Sequence, residues 1–213
     1  MNTPVWTYAW GSCLVLLAAA FIAAGFWQGS GWLSLTPPAS VTVPNPAPDV
    51  IAGAELPLYQ AAFTAWAVLL LLIPAYGTVW RRHKPLEAQV WLAFWTVSWV
   101  AYAVHLYVSM FWFFGGDFAA MTTSTRVSAF WPGLVIALWW PLDAALALRG
   151  VPDRGWVWGQ RVVIHVLVLV LFVGGSAVKG ELNTVKLIGA LLLVVALLAM
   201  VRWFIYGRGQ VRP

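Results

Sequence analysis

Six stretches of this chain, near 8–27, 59–80, 89–113, 128–148, 161–178 and 186–206, are long, apolar and almost free of charge. A helix of about 20 residues, rising about 1.5 Å per residue, crosses the hydrocarbon layer of a bilayer. Soluble domains carry about a quarter charged residues. Here 62% of the 213 residues are hydrophobic and 9% are charged. A soluble core of this size has no way to hide so much apolar surface, so lipid must be part of the solvent. The expected fold class is therefore all-α: a polytopic membrane bundle of six transmembrane helices forming one domain over 1–213. The first run, Cys13 to Phe26, has small residues at Ala23, Ala24 and Gly25 that suit a signal-peptide cleavage site. No Lys or Arg precedes it, so we read it as the first span.

The connections set the topology. Segment 28–58 contains Pro37, Pro38, Pro44, Pro46, Pro48 and Pro57 and is expected to be an extended loop. The other connections are short, so consecutive spans form antiparallel hairpins. No internal repeat of the kind found in many transporters is present. Arg81, Arg82 and Lys84 follow the second span, Arg149, Arg154 and Arg161 flank the turn between the fourth and fifth, and Arg202, Arg208 and Arg212 follow the sixth. Only Arg126, Lys179 and Lys186 fall on the other side. Cations are retained in the cytoplasm, so both termini are expected inside a bacterial inner membrane and the Pro-rich loop outside. The formal charge of +5 is scattered rather than striped, which argues against a nucleic-acid partner. Cys13 is the only cysteine, which excludes an intrachain disulfide and a multi-cysteine metal site.

The chain is rich in tryptophan. Trp6, Trp10, Trp27, Trp32, Trp80, Trp91, Trp112, Trp131, Trp156, Trp158 and Trp203 lie near span ends, where indoles anchor at the headgroup level. Trp66, Trp95, Trp99, Trp139 and Trp140 lie deeper and are left to pack helices, face lipid or line a cavity.

Three groups of residues are candidates for chemistry. In the third span Ser98, Tyr102, His105 and Ser109 recur at spacings of four, three and four, which places them on one helical face. Unpaired polar groups are costly in hydrocarbon, so this face should meet other helices or line a pocket for a quinone, pigment, haem or small substrate. Asp143 lies near the end of the fourth span and His165 near the start of the fifth. Equal depth across a hairpin predicts that they pair. His105 and His165 sit at opposite depths, which argues against a bis-histidine haem. The third group is the hydroxyl-rich outer loop with Asp117, Thr122, Thr123, Ser124, Thr125 and Arg126, read as a contact surface for an extracytoplasmic protein. An Asp117–Arg126 ion pair closing that hairpin is the simpler alternative.

Metalloprotease, phosphate-loop and hydrolase signatures are missing, which points away from an autonomous enzyme, and no cofactor can be named. The leading expectation is a non-catalytic membrane subunit packed against other membrane proteins. Small residues in the first span (Ala18 to Ala20, Ala23 to Gly25) and the fifth (Gly174 to Ala177) would allow close helix approach. A binder or carrier of a lipophilic ligand comes second and a proton-coupled transporter third.

Overall fold

The computed structural model of the protein describes residues 3–25, 55–123, 130–178 and 183–206. Among these the chain is about 92% helical, with no strands. The helices are α1 (Thr3–Gly25), α2 (Glu55–Thr78), α3 (Pro85–Tyr107), α4 (Phe118–Thr123), α5 (Phe130–Leu148), α6 (Gly155–Val173) and α7 (Asn183–Tyr206). A 3₁₀ turn, Val79–Arg81, extends α2, while π turns at Val108–Phe113 and Gly174–Val178 extend α3 and α6. With these extensions, six helices are long and apolar enough to cross a membrane, and only the short α4 is not. The fold class expected from the hydropathy pattern is the one observed.

Helix ends differ from expectation in ways that local chemistry explains. Helix α2 starts at Glu55, inside the expected loop, because Pro57 falls in its first turn, where a missing N–H costs nothing. Helix α3 starts at Pro85 for the same reason, with Glu87 in its first turn and in an ion pair with Arg81 at 2.7 Å. Helix α6 starts at Gly155, six residues before the expected 161. Most of the Pro-rich loop, together with Ser124, Thr125, Arg126 and the expected Asp117–Arg126 pair, lies outside the described residues.

Five spans close a ring in which α2 packs on α3, α3 on α5, α5 on α6, α6 on α7, and α7 back on α2. Helix α1 lies outside, in the groove between α2 and α3. Aromatic rings fill much of the space between. Trp95 and Trp140 are fully buried with centroids 4.5 Å apart, and Tyr102 lies 5.8 Å from Trp140 and 5.4 Å from Phe172. Helix α7 closes on the π turn of α6 because residue 189 is glycine. A Cβ there would fall 2.9 Å from the Ala177 backbone nitrogen and from Ser176 Cβ.

Side-chain contacts fix which ends lie together. Arg82, after α2, bonds Asp153, before α6, at 2.6 Å, and Trp80 lies 5.5 Å from Trp203 near the end of α7. Three of the basic segments that the sequence assigns to one side therefore meet at one end of the bundle.

Candidate functional site

At that end, between α3, α5 and α6, lies a buried layer of charge. Asp143, on α5, is fully buried and its carboxylate accepts three hydrogen bonds. Trp95 Nε1 donates to Oδ2 at 3.0 Å, while Gln160 Nε2 at 2.6 Å and Arg161 Nε at 2.8 Å donate to Oδ1. Gln160 is held in turn, because its Oε1 accepts from Trp139 Nε1 at 2.9 Å. Arg161 is 3% exposed. Its Nη1 reaches Asp153 at 3.4 Å, and its Nη2 is buried without a hydrogen-bond partner. The Asp143–Arg161 pair is a charge pair deep enough that neither member can be removed without stranding the other.

His165 sits one turn further along α6. Its Nδ1 lies 2.7 Å from the Arg161 carbonyl and its Nε2 lies 3.0 Å from Trp91 Nε1. A carbonyl only accepts and an indole N–H only donates, so the neighbours assign one form. Nδ1 carries the proton, Nε2 holds the lone pair, and the ring is neutral. The imidazole stacks on Trp95 at 3.8 Å and 9°, and the Tyr76 hydroxyl donates to the His165 carbonyl at 2.5 Å.

Asp143 and His165 are expected to pair directly or through one water, and the direct form of that pairing is not made. Among the described residues they share no hydrogen bond, and Trp95 links them by donating to one and stacking on the other. The reason is depth. Asp143 lies five residues before Leu148, the end of α5, and Arg161 lies six after Gly155, the start of α6, whereas His165 lies ten after it. With α6 starting at its true position, Arg161 rather than His165 matches the carboxylate. The charge and aromatic patterns place Arg161 among the interfacial cations and Trp91 among the interfacial indoles, whereas both belong to the buried layer. Their spacing, four residues from His165 and four from Trp95, was the available signal that each shares a helical face with the buried layer.

The α3 stripe meets its neighbours unevenly. Ser98 is buried and donates to its own helix, at the Phe94 carbonyl (2.6 Å). The Tyr102 hydroxyl crosses to the Gly133 carbonyl of α5 at 3.0 Å. A Cβ at residue 133 would itself lie 3.0 Å from that hydroxyl, so glycine opens the approach. His105 Nδ1 crosses to the Ala61 carbonyl of α2 at 2.9 Å, with Thr64 Oγ1 3.2 Å away. The carbonyl again assigns the proton to Nδ1, leaving Nε2 as an acceptor with no partner among the described residues. Ser109 falls inside the π turn, where α-helical spacing no longer governs its direction, and its carbonyl accepts the Phe114 N–H at 3.2 Å.

In the loop that follows the π turn of α3, Asp117 Oδ1 accepts the Ala120 N–H at 3.0 Å and caps α4. The Thr122 and Thr123 hydroxyls both turn back to the Ala119 carbonyl.

Fold and site together define an all-α bundle of six helices fit to cross a membrane, locked near one end by a buried Arg–Asp pair in an indole cage. No family model, curated protein or solved structure matches the chain.

Proposed function

We propose that this protein is a non-catalytic, multi-pass subunit or accessory protein of a larger assembly in a bacterial inner membrane, with both termini cytoplasmic. The observation that carries the reading is how the buried ionisable groups are used. Asp143 spends its oxygens on three donors, and both nitrogens of His165 are engaged by Arg161 and Trp91. Groups bonded in this way tie α3, α5 and α6 into one shape, whereas a general acid or base needs a proton or lone pair facing its substrate. The sparsely covered α1 and α7 offer the bundle's broadest faces to lipid or to neighbouring membrane subunits, and the outer loop near Asp117 is the candidate contact for an extracytoplasmic protein.

A second reading rests on His105. Its Nε2, which has no hydrogen bond among the described residues and lies on a part-buried stripe beside Tyr102, would accept a hydrogen bond from a lipophilic molecule with a hydroxyl or N–H donor. Purification in mild detergent, followed by native mass spectrometry and an absorption spectrum, separates the two. An additional chain in fixed ratio supports the first reading. The protein alone with one small lipophilic molecule, lost on His105→Ala, replaces it with the second. The protein alone and empty overturns both.

A further inference from the structure

The rim of the charged layer holds a second arrangement that the Asp143 lock does not need. Arg82 and Arg161 both lie over the ring of Trp91, their guanidinium carbons 4.8 and 5.0 Å from its centroid. One carboxylate bridges them. Asp153 Oδ2 is 2.6 Å from Arg82 Nη2, and Asp153 Oδ1 is 3.4 Å from Arg161 Nη1. The bridge underuses its donors, since the Arg161 contact is long and Arg161 Nη2, buried beside it, bonds nothing.

We propose that the Arg82–Arg161 pair is a binding site for a monoanionic phosphate group, and that Asp153 is a built-in competitor occupying its seat. Charge sets the valence. Two arginines less Asp143 leave a charge of +1 once Asp153 withdraws, which a singly charged phosphodiester would neutralise. A phosphate monoester, at about −1.5 to −2, would overshoot it. Geometry is compatible as well, because the two non-bridging oxygens of a phosphodiester can each accept from one guanidinium, as the two Asp153 oxygens do now. Position favours a headgroup. The site lies where two interhelical turns meet, and Asp153 keeps 34% of its side chain exposed, so a group at the membrane surface can enter beside it. Withdrawal is local. The Asp153 turn runs between Gly150 (φ +68°) and Gly155 (φ +51°), neither of which has any neighbour crowding its Cβ direction. Asp153 is part-exposed on this turn, so rotation about its own side-chain torsion swings the carboxylate out without moving α5 or α6.

The test uses the full chain in detergent and native mass spectrometry to compare retention of phosphatidylglycerol and phosphatidylcholine, with inorganic phosphate as the soluble probe. Asp153→Asn should retain phosphatidylglycerol roughly tenfold more strongly, about one charge-assisted hydrogen bond no longer displaced. Arg82→Gln should retain it roughly tenfold less, while the exposed Lys84→Gln leaves it unchanged. If inorganic phosphate fails to compete, the lipid headgroup is the source; if it displaces the lipid and stabilises Asp153→Asn alone, soluble phosphate shares the site. Unchanged retention in Asp153→Asn, equal retention of the two lipids, or equal losses in Lys84→Gln and Arg82→Gln would overturn the proposal. Should Asp153→Asn fail to fold, the comparison of Arg82→Gln with Lys84→Gln decides alone.

Discussion

Asp143→Asn keeps the shape of the buried carboxylate and removes one charge, so its cost reads what that charge does. Arg161, 3% exposed, would be left with only Asp153 at 3.4 Å as a counter-ion. Stranding one member of a buried pair costs about 3–5 kcal/mol. Hydrogen bonding adds a smaller loss, because an amide nitrogen cannot accept. Facing Trp95 it meets an indole N–H, and facing the other way it meets Gln160 and Arg161. Gln160 cannot turn to offer its oxygen without losing Trp139. One mismatched contact inside a membrane protein is worth about 0.6–1.7 kcal/mol, so the charge term decides the outcome. Unfolding in mixed micelles on titration with sodium dodecyl sulfate, followed by tryptophan fluorescence, should show Asp143→Asn less stable by about 3–5 kcal/mol. Arg161→Gln should be destabilised as well, and the double variant should lose less than the sum by about 0.5–3 kcal/mol. Losses under about 1 kcal/mol, or strictly additive ones, would refute the lock.

Reporter fusions after Lys84 and between Pro44 and Asp49 should report opposite compartments, with the Lys84 fusion cytoplasmic; the same compartment for both would sink the six-span topology. Nitrogen-15 NMR of imidazole-labelled protein at neutral pH should find His165 protonated at Nδ1 and bare at Nε2, and the reverse tautomer would contradict the contacts to Arg161 and Trp91. Gly189→Ala should destabilise by about 1–3 kcal/mol in the same micellar assay, because its methyl meets the backbone at Ala177; a neutral effect would mean that α7 does not seat on the π turn.

Much of the fold can be read from the sequence because hydrocarbon enforces it: an apolar run of spanning length has few alternatives to a helix. Helix starts were less legible. The segment Gly155 to Gln160, bracketed by Arg154 and Arg161 and carrying two glycines, reads as a turn, yet it forms the first turns of α6, since Trp156 and Trp158 face outward while Val157 packs inward. That displacement carried into the site and made His165, rather than Arg161, seem level with Asp143. The face of Ser98, Tyr102 and His105 followed from α-helical spacing, but Ser109 did not, because nothing in Val108 to Phe113 announces a π turn. From the sequence, Arg82 is only a topological cation. Its bond to Asp153 spans 71 residues and depends on two turns meeting at one end, which no local pattern encodes.

The inward-facing indoles show why this interior uses tryptophan rather than a smaller polar residue. An indole brings one N–H donor on a large apolar body, so it can satisfy a buried acceptor without adding an acceptor of its own. Five indoles do this here. Trp91 donates to His165, Trp95 to Asp143, Trp139 to Gln160, Trp140 to the Trp95 carbonyl and Trp99 to the Ala137 carbonyl. The last case ties donor to defect. Pro141 has no N–H to close the α-helical bond to residue 137, so α5 would leave that carbonyl bare in a medium that cannot hydrate it. Trp99 Nε1, reaching across from α3 at 3.3 Å, takes the place of the missing amide. Pro141 and Trp99 therefore act as one unit, a helix break and its repair. The break lies two residues before Asp143, in the stretch of α5 that must meet α3 closely enough for Trp95 to reach the carboxylate.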